Sequence, residues 1–222
     1  ALFMHKPVGS SNDLNKAGLH AELDLLVQGN GFAQSFKLRA SAVGLKLPDI
    51  KYNAENAFVG TITTPLPASP LPVDDAVVEF DEDRSLLFDT FLVVPLLQTR
   101  GIFTERKFSG NMQTGDNTDY VGEVVDAFAH HFLEETSCMF MLADIQGVVG
   151  PDCSITLFDP QAHSTAGDSG KWDQGSNVIK KFCDEHHCNR VCRQLKLKSL
   201  KDQYHDSSCS PRNGSLAFIL GE

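Results

Sequence analysis

Between positions 186 and 192 the sequence places His186, Cys188 and Cys192 in an H-x-C-x3-C group. Soft and borderline ligands packed this tightly constrain a fold more than any apolar pattern does, because one cation can tie them together. On a continuous helix the two thiols, four residues apart, project from one face. Three ligands are one short of a closed tetrahedral site. The fourth is expected from His130 or His131, in the middle of an earlier helical segment, if the two helices pack side by side. A closed Cys/His set suits zinc and contributes to folding rather than chemistry. The remaining thiols, Cys138, Cys153, Cys183 and Cys209, read as core or surface residues.

Six cysteines in 222 residues do not make a disulfide framework, so a reducing, cytoplasmic (intracellular) setting is expected. The formal net charge of -10 argues against nucleic acid or an anionic membrane as the main partner, since phosphate backbones are bound by clustered Lys and Arg. The basic residues Arg193, Lys196, Lys198 and Lys201 read as a solvated tail. No stretch reaches the roughly 18 apolar residues of a membrane span. Beginning at Ala1, the chain reads as a domain from a longer protein.

Along the chain, Glu22 to Val27 and Phe32 to Ala40 alternate like two strands joined by the glycine turn Gln28-Gly29-Asn30-Gly31. Further strands are expected at Ala57 to Thr63, Thr90 to Leu96 and Gly101 to Phe108. The prolines 65, 67, 70 and 72 mark a surface excursion, followed by the acidic run Glu79 to Asp83. Val124 or Val125, Phe128 and Phe132 then recur at helical spacing up to Glu135. Met139 to Val148 reads as a buried strand, Ile155 to Phe158 as a short one, and Ser176 to Leu195 as a helix. Strands first and helices later predict an α+β protein of two lobes.

Asp144, Gln146 and Asp159 fall at strand ends, with 144 and 146 on one side of a strand. Phosphoryl transfer needs such a group: hard oxygens hold a divalent cation against phosphates, and a carboxylate orients the attacking hydroxyl. The same aspartates would also serve simply to end strands. Gly167 to Gly175 is a glycine-punctuated loop leading into a helix.

Taken together, Asp126-Ala127-Phe128-Ala129-His130, Ala143-Asp144-Ile145-Gln146-Gly147, Leu157-Phe158-Asp159-Pro160, Gly167-Asp168-Ser169-Gly170 and His186-His187-Cys188-Asn189-Arg190-Val191-Cys192 resemble the alpha-kinases, the atypical Ser/Thr protein kinases, and most of all their fungal branch. The resemblance runs from Asp126 to Leu197. It implies a two-lobed protein-kinase-like fold, with a strand-rich N-lobe over about 18–105, a zinc-containing C-lobe over about 106–205 and a tail over 206–222. It implies structural Zn2+ on His130, His186, Cys188 and Cys192. Asp144 would be the catalytic aspartate, with Gln146 and Asp159 holding Mg2+ at the phosphates of ATP. The loop with Gly170 and Gly175 would help position a protein substrate, although Trp172 stands where the family has a glycine.

In the N-terminal half, Gly29 and Gly31 resemble the glycine turn over the nucleotide, and Glu105 the hinge glutamate that faces adenine. The family's phosphate-binding lysine falls at about Gly60, leaving Lys37, Lys46 and Lys51 as candidates to replace it. Two functions follow from the resemblance. One is an ATP-dependent Ser/Thr kinase acting on a protein hydroxyl. The other is a pseudokinase, a zinc-stabilised binding module. Ligand count argues against a third reading, a zinc-dependent hydrolase, because four protein ligands would leave no open position for water. Oligomeric state is not encoded in any of these features.

Overall fold

The structure, a computed structural model, describes residues 2–4, 8–63 and 88–208. The proline-rich excursion from position 64, the acidic run Glu79 to Asp83, Cys209 and most of the expected tail lie outside the described residues.

The N-terminal part is dominated by one helix rather than a hairpin. After β1 (Leu2–Met4), α1 runs from Asn12–Ala42 without interruption, its first turn capped by Ser11, whose hydroxyl accepts from the Leu14 amide. The expected glycine turn at 28–31 is therefore overturned. Helical period explains why: Leu19, Leu26, Ala33, Phe36 and Ala40 are all buried on one side, at the spacing of three, four and seven residues that a helix requires. Gly29 serves close approach here, since a Cβ at this position would lie 2.7 Å from the Tyr52 ring.

Among the described residues the strands form three sheets. β1, β4 (Thr90–Pro95) and β3 (Phe58–Thr61) make an antiparallel sheet with β4 in the centre. β2 (Ile50–Tyr52), β8 (Ile155–Phe158), β7 (Gln146–Val149) and β5 (Thr104–Lys107) make the second, in that order, with β2 parallel to β8. β6 (Phe140–Ala143) and β9 (Gln161–Ser164) form a two-stranded pair.

The expected single strand from Met139 to Val148 is thus two strands that enter different sheets. The chain bends between them at Asp144, whose φ is +53°. At the bend its hydrogen bonds pass to another segment: the Asp144 amide donates to the Gly110 carbonyl and the Ile145 amide to Ser109 Oγ.

Among the described residues, four helices complete the C-terminal part: α2 (Tyr120–Glu135), α3 (Ser176–Glu185), α4 (Arg190–Gln194) and α5 (Leu200–Ser208). α2 is buried without a break from Val124 to Leu133, as expected of a helix at the centre of a core. It packs Phe132 and Phe128 against Phe32 and Phe36 of α1, with ring centroids 4.0 and 5.6 Å apart.

The expected helix from Ser176 to Leu195 is broken at His186–Asn189. Asn189 Oδ1 accepts from the Cys192 amide and restarts the helix as α4. Cys188 lies in the break and Cys192 on α4, so the thiols are brought together by a turn rather than by one helical face. α5 continues to Ser208, past the expected start of the tail.

Replacing Gly29 sets two effects against each other. Alanine gains up to ~1 kcal/mol of helix propensity, while a Cβ pressed into the Tyr52 ring costs ~1–3 kcal/mol of overpacking. Tyr52 is almost wholly buried and cannot swing away, so Gly29→Val, which lacks alanine's propensity, should lose about 2 kcal/mol in urea unfolding. Unchanged stability would show that the Tyr52 ring is free to move.

Candidate functional site

The candidate residues form two polar constructions. The first joins α2 to the break after α3. His130, His186, Cys188 and Cys192 offer ligand atoms that all lie within 4.8 Å of one another. The fit to a cation is set by His130: its Nε2 faces the Lys198 carbonyl at 2.8 Å, so this nitrogen carries the proton and Nδ1 is left with a lone pair directed at Cys188 Sγ, 3.7 Å away. His186 Nε2 stands 3.7 Å from Cys192 Sγ. For metal–nitrogen bonds of about 2.0–2.1 Å and metal–sulfur bonds of about 2.3 Å, a tetrahedron has N···S edges of about 3.6 Å. The residues present therefore suit a tetrahedral ion with two nitrogen and two sulfur ligands.

Electrostatics agrees with that fit. Burial, aided by His130 and His187, pulls His186 down to about 3, which keeps its imidazole neutral and able to donate a lone pair. Burial pushes the Cys192 thiol up to about 12, so a thiolate is stable there only beside a positive charge. Arg193 donates from Nη1 to the Cys188 carbonyl at 2.6 Å and braces the turn. It is thus not simply part of a solvated tail. His131, the other candidate for fourth ligand, turns instead to Glu135, 3.1 Å away.

The second construction is an acidic seam along the ends of β5 to β8. Asp144, at the bend after β6, has an oxygen 2.6 Å from the ammonium of Lys107 on β5. Lys107 sits directly across from Gln146 on β7. Gln146 donates from Nε2 to Asp159 Oδ2 at 3.2 Å, and Asp159, like Asp144, occupies a left-handed bend at a strand end, with φ of +51°. A run of close contacts and cross-strand neighbours therefore links Asp144 to Asp159. Glu105, opposite Val148, shares the face of Lys107 two residues further along β5 and is exposed. From α1, Glu22 approaches the far end of the seam, where burial and then the charge of Asp159 push it up to about 7.

Next to the seam, the loop after β9 is built around one buried carboxylate. Asp173 accepts from the Ser164, Ser169 and Gly175 amides and from the Ser164 and Ser169 hydroxyls. Burial alone would raise Asp173, but the hydrogen bonds from Ser169, Gly175 and Ser164 outweigh it and hold the group well below the usual carboxylate range. Gly175, at φ of +76°, supplies the left-handed residue from which α3 starts. Gly170 opens the same turn, and Trp172 is half exposed. His163 is fully buried; its Nε2 donates to the Asn111 carbonyl and its Nδ1 accepts from the Gln174 amide, which fixes the loop to β9.

The alpha-kinase family profile matches residues 32–192 of the chain. The chain belongs to the alpha-kinase family. Alpha-protein kinase 1 of Dictyostelium discoideum is 35% identical over 118 residues, which is 51% of this chain and 8% of that protein. Myosin heavy chain kinase B of the same organism is 30% identical over 105 residues, 47% of this chain and 13% of that protein. The human channel protein TRPM6 (transient receptor potential cation channel subfamily M member 6) is 33% identical over 100 residues, 43% of this chain and 5% of that protein. The matches thus span only a small fraction of these relatives' own length.

The fold agrees with that of the alpha-kinase domain of myosin heavy chain kinase A. The adenosine complex of that domain superposes with a TM-score of 0.59 at 21% identity, covering 89% of this chain and 62% of that one. Its AMP complex superposes with a TM-score of 0.57 at 20% identity, covering 86% and 64%.

Within this alpha-kinase, the structure groups the C-terminal candidates and separates the N-terminal ones. The four Cys/His residues meet, and Asp144, Gln146 and Asp159 line one seam. Gly29 and Gly31 lie within α1 rather than on a turn. Lys37 pairs with Asp49 at 2.7 Å and stands about 22 Å from Glu22 along the helix axis, at 1.5 Å per residue. That distance removes it from the seam. Lys51 pairs with Glu55. At Gly60 a side chain would meet the Phe91 ring at 2.6 Å, so this position is a packing point between β3 and β4.

Lys107 and Glu22 are the seam residues that the sequence did not reveal. Lys107 depends on the β5–β7 register, and Glu22 was masked by reading α1 as strands.

Glu22 gives a signed pH dependence. Its folded pKa lies above the ordinary value of 4.5, so the folded chain binds the proton more tightly and loses stability as pH rises from about 4.5 to 7. Glu22→Gln should therefore unfold at higher urea than the parent at pH 8, by about 1–2 kcal/mol, allowing for partial exposure. The gap should shrink as pH falls to 5. A gap independent of pH would show that no buried carboxyl is involved.

Proposed function

We propose that this alpha-kinase transfers the γ-phosphate of Mg-ATP to a Ser or Thr hydroxyl of a protein substrate. The observation that carries this reading is the seam in which Asp144, Lys107, Gln146 and Asp159 converge from four different strand ends. Asp144 is the catalytic group: one carboxylate oxygen is held by Lys107, which leaves the other to accept the hydrogen of the attacking hydroxyl and fix its direction. The hydrogen bond between Gln146 Nε2 and Asp159 Oδ2 leaves Gln146 Oε1 and Asp159 Oδ1 as the hard oxygens suited to Mg2+. Magnesium on these oxygens would neutralise phosphate charge. Gly170, Gly175 and the Asp173-centred turn form the wall against which a substrate segment would lie.

The reading draws support from relatives whose names are those of kinases and from alpha-kinase domains solved with ATP, ADP and AMP. The Cys/His cluster we assign to structural zinc: all four ligands come from the protein, so no position remains for a reacting water. Free thiols among the described residues, and a cluster that needs thiolates, fit a cytoplasmic setting.

One observation favours the second reading, a nucleotide-binding module without transfer. Gly29, Gly31 and Lys37 are spread along α1, the position expected to carry the phosphate-binding lysine is Gly60, and Lys107 at the described seam is already engaged by Asp144. Cationic clamps on the phosphates supply large rate factors, so their absence would leave binding without turnover.

Labelled ATP with Mg2+ separates the readings. The parent should label itself or a basic protein mixture, and Asp144→Ala should lower the rate by roughly 100-fold or more, the usual size of a general-base contribution. Equal labelling of both proteins would remove Asp144 from catalysis. No labelling of either, with ATP still raising the Tm, would favour the binding module.

For the metal, elemental analysis should find about one zinc per chain, and Cys192→Ser should give protein that is insoluble or melts far below the parent. Well-folded protein free of zinc would overturn the assignment.

A further inference from the structure

Two thiols take no part in either construction. Cys138, in the corner between α2 and β6, and Cys183, on α3, are both almost wholly buried. They stand 45 positions apart in sequence, yet their sulfurs lie 3.9 Å from each other, in van der Waals contact. Neither belongs to the Cys/His cluster.

The contact is held from both sides. The Cys138 amide donates to the Leu133 carbonyl at 2.8 Å and Thr136 Oγ1 donates to the Phe140 carbonyl at 2.7 Å, which closes the corner tightly. Facing it, Cys183 is buried along α3 with Val178, Ile179 and Phe182. Cys138 has φ of +58° and directly follows Ser137 at +53°. Residues with side chains keep left-handed backbone only where the surrounding structure imposes it. Glycine would rest at 138 without strain, so the turn alone does not call for a cysteine.

The proton between the sulfurs divides their roles. The Cys183 thiol donates to Cys138 Sγ, and this bond holds Cys138 below the ordinary thiol range in spite of its burial. The same bond, with burial, pushes Cys183 up. Cys138 is thus the sulfur suited to attack, because the thiolate is the nucleophile, and Cys183 the sulfur suited to follow.

We propose that Cys138 and Cys183 form an oxidation site, in which hydrogen peroxide converts the two thiols into a reversible disulfide joining the corner after α2 to α3. The Cys138 thiolate attacks one peroxide oxygen and the O–O bond breaks. The departing hydroxide takes up the proton that Cys138 has lost and leaves as water, with Cys138 now a sulfenic acid. Cys183 then attacks the sulfenic sulfur: the S–S bond forms, the S–O bond breaks, and hydroxide leaves with the Cys183 proton as a second water. Each thiol gives up one hydrogen and one electron, and peroxide is reduced to two waters. Closing from 3.9 Å to the roughly 2.05 Å of a disulfide lies within the sweep of side-chain rotation. Peroxide is little larger than water, and α3, a ten-residue helix without a side-chain cap at its N-terminus, is the readier of the two elements to open.

The bond would close a loop that contains Asp144, Asp159 and the Asp173-centred turn, and would tie that loop at its base. It does not depend on phosphate transfer.

The test uses the intact protein carrying Cys153→Ser, which removes the exposed thiol between β7 and β8. After treatment with a few equivalents of hydrogen peroxide, unreduced fragments are sequenced by mass spectrometry. A Cys138–Cys183 link should appear, and the Tm should rise by roughly 5–10 °C, as expected from closing a loop of this length. Dithiothreitol should reverse both changes. Cys138→Gly, which suits the left-handed corner, and Cys183→Ala should each abolish the link and the shift. Links confined to the other cysteines, a Cys138–Cys183 link formed only in urea, or a link that leaves the Tm unchanged or lowers it, overturns the proposal.

Discussion

The protonation state of a single ring governs much of the C-terminal architecture. Because the Lys198 carbonyl takes the Nε2 proton of His130, the remaining lone pair must point at Cys188. Four segments are brought into register by this one imidazole: α2, which carries it; the break after α3; α4; and the stretch leading to α5. The same stretch reaches back to the N-terminal part through Arg39 of α1, which donates to the Leu195 and Lys196 carbonyls and pairs with Glu134 of α2 at 3.1 Å. A cation at the Cys/His cluster would therefore fix the floor on which α1 and α2 pack.

From that base the acidic seam is assembled largely by strand pairing. β5, β7 and β8 are neighbours in one sheet, and β6 leaves it at Asp144 for a pairing with β9. The split is what separates Asp144 from the ladder while holding it beside Lys107. A continuous strand would have fixed its direction by simple alternation. The left-handed bend aims it instead, and the 108–110 segment holds the turn through four hydrogen bonds to Asp144 and Ile145.

Much of the C-terminal part was legible because its signals are local. α2 announces itself by Val124, Phe128 and Phe132, and β8 was placed residue for residue. Three members of the Cys/His cluster could be read from spacing, but the choice between His130 and His131 could not, and came from the resemblance, which implied His130. It is settled by which nitrogen meets a carbonyl 68 residues away. α1 was illegible for a different reason: Gly29 and Gly31 are common turn signals, and only the tertiary position of Tyr52 shows that one of them is a contact surface. Lys107 and Glu22 are ordinary charged residues until β5 meets β7 and α1 is laid across the sheet. No local pattern separates them from the many solvated charges of this chain.

Asp144 and Asp159 both sit in left-handed backbone, where glycine rests without penalty and a side chain costs on the order of 1 kcal/mol. Sequences wandering under selection for durability alone would drift toward glycine at both corners and melt at higher temperature for it. Keeping carboxylates at the two corners is thus a standing tension between ruggedness and chemistry, written into the main chain rather than the side chains.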